Sequence, residues 1–131
     1  RILDNMDMKA EDIATIVTAI GNHEEGLGES VNAVAAALII ADKSDVRRSR
    51  VREKNEIDFD IHDRVNYAVT QHKLKVNVDK KTISLNLQID TKICSMYEYF
   101  EIFLGRMMMC RGAADMLGAT FKLMANGSKV L

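Results

Sequence analysis

Two side chains in the first half of the chain, His23 and Asp42, are of the types that bind divalent metals in proteins. Asp42 follows the unbroken apolar run 33–41, which is typical of a helix buried on nearly all sides. A carboxylate buried at the end of such a helix needs a metal, a cation or several hydrogen-bond donors, or it takes up a proton. His23 ends another helical pattern, so the two residues together predict half of a metal site.

Each of these residues also has an ordinary structural interpretation. A lone histidine at the end of a helix more often interacts with the helix dipole than with a metal. Asp42 has a comparable alternative, since it can form a salt bridge with Lys43 or with one of the arginines that follow. The sequence alone leaves both interpretations open.

The elements that must position the pair are helical. Isoleucine and valine residues at helical spacing predict an amphipathic helix over about residues 9–22. A glycine-rich loop follows it, and Ser30 is a suitable N-cap for the apolar helix, which runs to about Lys43. After a charged stretch, Asp58 or Asp60 is placed to cap a third helix.

The second half of the chain has the period-two pattern of β-strands. Apolar and polar residues alternate over 74–78 and again over 83–89, which predicts two half-buried strands. A tight turn at 79–81 joins them. Each strand is expected to have one covered face, because apolar residues occupy alternate positions.

A helix and a hairpin are predicted to complete this half. Ser95 and Glu98 form an S-x-x-E capping box, and the helix that they start ends near Gly118. The pair Asn126-Gly127 is the strongest two-residue hairpin signal. We therefore expect a ββαββ unit, in which one helix packs on a small antiparallel sheet.

Composition limits the class of protein. The chain has 131 residues, 47% apolar and 28% charged, as expected for one globular domain with at most a small appendage. Its net charge of -1 provides no general attraction to nucleic acid or membrane. No membrane association is expected, because the apolar stretch 31–40 is too short to cross a bilayer and no signal peptide is visible. Cys94 and Cys110 are expected to be reduced thiols in a cytoplasmic protein.

The stretch 16–50 resembles the second half of the HD-domain metal-dependent phosphohydrolases. Ile40-Ala41-Asp42 matches the I-A-D or L-A-D triplet of that family, and His23 matches an additional histidine found in many members. Gly26 and Gly28 lie where the family has a glycine-bearing loop. The resemblance covers about residues 9–70, and D-I-H-D-R-V at 60–65 is similar to an uncharacterised bacterial subgroup.

The resemblance implies hydrolysis of a phosphorylated small molecule, a phosphate ester or a nucleotide, with a divalent metal: Mn, Fe, Co, Ni, Zn or Mg. Asp42 would be the last ligand of the family's H…HD…D site, and His23 an additional ligand. The family's first histidine and its His-Asp pair lie upstream of the matched region, and residues 1–12 contain no histidine. We therefore expect the C-terminal portion of a longer hydrolase, inactive by itself.

The pair His62-Asp63 does not replace the absent ligands. It follows Asp42 instead of preceding it, and it lies at a polar helix start, so we interpret it as structural. With the resemblance, the predicted fold class is α+β. An incomplete helical HD-type core occupies residues 1–71, and the ββαββ subdomain occupies residues 72–131.

One basic cluster follows Asp42; its members are Lys43, Arg47, Arg48, Arg50 and Arg52. A solvated helix extension is the ordinary interpretation. The functional interpretation is phosphate binding, because guanidinium groups bind phosphate oxygens in pairs. Lys43, which adjoins Asp42, and Arg47, one turn on, are the best candidates. A nucleic-acid surface is disfavoured, because no aromatic residues interleave with the cluster.

The alternative function is a non-catalytic binding or dimerisation module derived from the HD fold. In that case His23 and Asp42 are core residues without a metal. The open edge of the sheet would then pair with another chain and form a homodimer.

Overall fold

The structure is a computed structural model that describes residues 1–24, 30–52 and 60–131. These residues form four α-helices and one four-stranded sheet, which confirms the α+β class. In chain order the elements are α1 (Ala10–Gly21), α2 (Ala33–Lys43), α3 (Ile61–Ala68), β1 (Val69–Asn77), β2 (Thr82–Ile89), α4 (Met96–Met116), β3 (Thr120–Ala125) and β4 (Ser128–Lys129). Gly26, Gly28 and Asp58 lie outside the described residues.

The apolar helix α2 differs from its prediction in two respects. Its N-cap is Asn32 and not Ser30, because the Asn32 side chain accepts a hydrogen bond from the Ala35 amide at 2.9 Å. The helix is also not buried on all sides. Val34 is exposed, whereas Ile39 and Ile40 enter the core, so an apolar run here has one face open to solvent.

Helix α3 begins where the polar sequence predicted a cap. The Asp60 carboxylate accepts a hydrogen bond from the Asp63 amide at 2.7 Å, which satisfies a donor of the first turn. The helix continues directly into β1, with Val69 as the first residue of the strand. The predicted boundary between residues 71 and 72 therefore falls inside β1.

The sheet has the order β1-β2-β3-β4 and is mixed, so the prediction of an antiparallel sheet was wrong. β1 pairs with β2 and β3 pairs with β4 in antiparallel fashion, but β2 and β3 are parallel. The physical reason is α4, which carries the chain back along the sheet before β3 begins. A parallel pair requires such a crossover.

The predicted turns and caps of this half are present. Ser95 and Glu98 form the capping box at the start of α4. Asn126 and Gly127 have φ values of 49° and 80°, as a two-residue type I′ hairpin turn requires. These features depend on a few neighbouring residues, which explains why the sequence was enough to find them.

One hydrophobic core joins the sheet, α4 and the first helices. The predicted inward residues of β2 are all buried, whereas Val76 in β1 and Val78 just after it are exposed, contrary to prediction. β1 is an edge strand, so its far end projects beyond the core. Ile39 of α2 and Val65 of α3 belong to the same core as β2 and α4, so the predicted domains share their interior.

None of the described helices combines the length and the apolar character needed to span a bilayer.

Candidate functional site

Asp42 and Lys43 form an ion pair at the C-terminal end of α2. The Lys43 Nζ lies 2.7 Å from Asp42 Oδ2. The lysine side chain is 6% exposed and the aspartate side chain is 32% exposed. The prediction that Asp42 is the buried charge was therefore wrong. Lys43 is buried in its place, and it holds one carboxylate oxygen while the carboxylate remains partly open to solvent.

Three cationic or potentially cationic side chains act on Asp42. Burial alone would raise the pKa of the Asp42 carboxyl. The hydrogen bond and charge of Lys43, followed by the charges of Arg106 and His23, outweigh burial and lower that pKa below its ordinary value of 3.8. Asp42 is therefore ionised at neutral pH.

His23 follows the end of α1 and is half-buried. Its Nδ1 lies 2.5 Å from the carbonyl oxygen of Ile20. Because a carbonyl can only accept, Nδ1 is the donor in this contact. In the neutral ring, Nε2 is then the acceptor or ligand atom. The imidazolium form of His23 acts on the Asp42 carboxyl through its charge and lowers its pKa, so the ends of α1 and α2 place the two predicted residues near each other.

His23 and Asp42 are suitable ligand types for a divalent metal, but two ligands are too few to hold one. A carboxylate that is kept ionised and a histidine whose Nδ1 donates to a backbone carbonyl are typical of metal ligands. However, the described residues contain no group of three or more histidine, cysteine or acidic side chains that could hold a metal. A metal at His23 and Asp42 would need further ligands.

Arg106 of α4 is a site residue that sequence reasoning missed. Its charge acts on Asp42 and on two buried groups of α4, the Tyr99 hydroxyl and the Cys110 thiol. Burial raises the pKa of both groups, that of Cys110 to about 12, so both are neutral and Asp42 is the anion near Arg106. A signal was available. Arg106 interrupts an apolar helix between Phe103 and Cys110, at spacings that share one helix face.

The two predicted phosphate-binding residues are in different situations. Lys43 is at the site, because its ammonium group contacts Asp42. Arg47 is directed elsewhere and forms a two-pronged ion pair with Asp45, at 2.6 Å from Nε and 3.1 Å from the second guanidinium nitrogen. Arg48 is also engaged, since its guanidinium lies 4.3 Å over the Tyr67 ring. The structure does not bring Arg47 to Asp42.

Comparison of the chain with family models, curated proteins and solved structures finds no match. No relative therefore assigns a role to any residue of this chain.

Proposed function

We propose that this chain is the C-terminal portion of a divalent-metal-dependent phosphohydrolase that acts on a phosphate ester or nucleotide. The main support is that an ionised, partly exposed Asp42 lies near a His23 whose Nδ1 is engaged by a backbone carbonyl. The resemblance of residues 9–70 to the HD phosphohydrolases adds to it.

His23 and Asp42 would contribute two metal ligands, and the remaining ligands would come from outside the described residues. A bound metal supplies an activated water and polarises a phosphoryl oxygen. Lys43 keeps Asp42 ionised and oriented through the 2.7 Å contact. Arg106 adds positive charge beside the carboxylate, where a phosphoryl group needs its negative charge stabilised. The ion pair of Arg47 with Asp45 favours Arg106 over Arg47 in this role.

The location that fits this proposal is the cytoplasm, where phosphorylated metabolites and nucleotides are abundant. Cys94 and Cys110 are both free and buried, as expected in a reducing compartment.

The test is a panel of metals and phosphomonoesters on the longer protein that contains this chain. Asp42→Ala should remove bound metal, measured by elemental analysis, and lower the rate of phosphate release by about a hundredfold or more. Asp45→Ala is the matched control, because Asp45 is a nearby carboxylate whose partners are Arg47 and Arg50. It should retain both metal and turnover. A protein that binds no metal and is inactive across the panel would contradict the proposal.

A second candidate function, a binding or dimerisation module derived from the HD fold, is favoured by one apolar surface. A groove of about 510 Å³ between α2 and α4 is lined mainly by apolar and glycine residues: Ser30, Ile39, Gly105, Met108, Met109, Gly112 and Met116. Met108 and Met116 are exposed, and no residue in the described part of the chain would lie within 4 Å of a Cβ atom at Gly105 or Gly112. An exposed apolar surface of this kind marks interaction sites. The open edge of β1 is less suitable, because Lys73 and Lys75 lie along it.

Sedimentation equilibrium tests the dimer. Met108→Lys should shift a dimer to monomer, whereas Val76→Lys, at an exposed valine in β1, should not. A monomer at the highest soluble concentration would exclude self-association through this groove.

A further inference from the structure

In the described part of the chain, the sheet buries only one of its two faces. The inward residues of β2 and β3 belong to the core that α4 completes. The opposite side, called here the outer face, consists of every second residue of 71–77, 82–88 and 120–124, together with Lys129. Most of these side chains are exposed, so the outer face is accessible to a partner.

The outer face has a strong excess of positive charge. Its charged residues are four exposed lysines: Lys73, Lys75, Lys122 and Lys129. None of its positions holds an acidic residue, and the four lysines form no ion pair with a described residue. Asp79 lies in the turn before β2 and Asp90 follows the end of that strand, so neither belongs to this face. The whole chain has a net charge of -1, and the concentration of charge appears only when the strands are aligned.

The register of the strands places the lysines on two sides of a neutral strip. Lys75 lies opposite Ser84, which lies opposite Lys122. The neighbouring row across the sheet consists of Lys73, Asn86, Met124 and Lys129. Because adjacent strands are about 4.8 Å apart, the backbones that carry the two sides are separated by roughly 10–14 Å. The outer face therefore presents two lines of cations with a hydroxyl and an amide between them.

This arrangement favours nucleic acid over other anionic partners. Protein interfaces concentrate aromatic and apolar residues at their centre, and the one apolar residue of the outer face is the half-buried Met124. Helices that lie on a membrane surface likewise bury apolar side chains in the lipid. Interfaces with nucleic acid are instead polar and strongly positive. Lysine, serine and asparagine side chains are among those that contact phosphate and sugar.

The width and composition of the outer face indicate which form of nucleic acid it suits. Single strands stack their bases on aromatic side chains, and no position of the outer face is aromatic. The grooves of B-form DNA are deep and at most about 12 Å wide. Four strands span about 14 Å, so this face is too broad to enter them. The minor groove of an RNA duplex is wide and shallow, and it displays 2′-hydroxyl groups.

We propose that the outer face binds double-stranded RNA across its minor groove. The lysines of β1 contact the phosphates of one RNA strand, and those of β3 and β4 contact the phosphates of the other. Between them, Ser84 and Asn86 form hydrogen bonds with 2′-hydroxyl groups. These contacts are to the backbone and sugar, so binding is independent of base sequence. They involve neither His23 nor Asp42, and the proposal therefore does not rest on the proposed hydrolysis.

Fluorescence anisotropy of the full chain with a labelled RNA duplex of about 16 bp tests the proposal. Four phosphate contacts predict a slope of about −3.6 in the logarithm of affinity against that of salt concentration, which is roughly a hundredfold loss between about 50 and 200 mM salt. The RNA duplex should bind more tightly than the DNA duplex or the single RNA strand of the same sequence. Equal or tighter binding of either would overturn the proposal.

Two further probes separate nucleic acid from other anionic partners. Vesicles of phosphatidylserine and phosphatidylcholine present an anionic membrane, and poly-glutamate presents an acidic polypeptide. Both should compete weakly with the RNA duplex. A vesicle or poly-glutamate sample that displaces the duplex at an equal concentration of negative charge would assign the outer face to that partner and overturn the proposal.

Variants locate the binding. Lys122→Gln, at an exposed position of β3, removes one phosphate contact and should make the salt slope shallower by about 0.9. Lys9→Gln is the matched control, because Lys9 is an exposed lysine that precedes α1, and it should leave the slope unchanged. The double variant Ser84→Ala with Asn86→Ala should reduce the preference for the RNA duplex over the DNA duplex. Equal slopes for the two lysine variants would contradict this location, as would an unchanged preference in the double variant.

Discussion

The two halves of the chain differ in how they bury apolar side chains and how they satisfy polar groups. In the second half, β2, β3 and α4 bury large apolar side chains, and the capping box of Ser95 and Glu98 satisfies the start of α4. In the first half, the helices leave apolar residues such as Ile20 and Val34 exposed, and charged pairs at the end of α2 contribute much of the polar structure. The comparison teaches that stability should reside mainly in the sheet half, and chemistry in the helical half.

The strongest test of this contrast uses one residue type in both halves. Ile89 of β2 is 2% exposed and Ile20 of α1 is 55% exposed. Ile89→Ala should lower the free energy of unfolding by about 3 kcal/mol through lost burial and a cavity. Ile20→Ala should cost less than about 1 kcal/mol. Urea denaturation measures both values. Similar losses would show that another part of the protein covers α1.

A second test concerns the hydrogen bonds that link the β3–β4 turn to the end of β2. The Asn126 side chain hydrogen-bonds both backbone groups of Ile89, accepting from its amide at 2.7 Å and donating to its carbonyl at 3.0 Å. Asn126→Gly keeps the positive φ and removes both bonds, so it should destabilise the protein by roughly 1–3 kcal/mol.

Asn126→Ala separates the bonds from the backbone conformation. Alanine loses the same hydrogen bonds and is also strained at a φ of 49°. It should therefore be about 1 kcal/mol less stable than Asn126→Gly by the same denaturation assay. Equal stability of the two variants would show that alanine adopts this left-handed conformation without a loss of stability.

The ion pair at the end of α2 provides a smaller effect. Asp42→Asn removes the carboxylate that lies 2.7 Å from the buried Lys43 ammonium, so stability should fall by about 1–2 kcal/mol. Asp45→Asn should cost less than about 1 kcal/mol, because the Arg47 side chain that pairs with Asp45 is 57% exposed. An Asp42→Asn variant as stable as the parent chain would show that Lys43 gains little from this carboxylate.

The smallest expected effect is the dependence of stability on acid. Burial would raise the pKa of Asp42, but Lys43, Arg106 and His23 lower it below 3.8 overall. The unfolded chain therefore binds a proton at a higher pH than the folded chain does. This stabilisation is present above pH 3.8 and is lost as the pH falls through the folded pKa. Between pH 5 and pH 3, the free energy of unfolding should fall less with decreasing pH for Asp42→Asn than for the parent chain.

The fold was predictable where a signal is local. The capping box of Ser95 and the turn at Asn126-Gly127 each depend on two to four adjacent residues, and both are present. The end of α2 next to Asp42 was also found, because a charge stops an apolar run. The pairing of β2 with β3 was not found, since alternation shows that a strand has two faces but not which strand lies beside it.

The same distinction separates the residues of the candidate sites. Residue type and order along the chain were enough to select His23, Asp42 and Lys43 as chemically notable. Only the packing of α2 against α4 decided that Lys43 is the buried member of its pair and that Arg106, 64 residues after Asp42, lies near the carboxylate. Burial and electrostatic interactions depend on which groups are close in space. In a folded chain, residues far apart in sequence can be close in space, so the sequence alone does not show which groups interact.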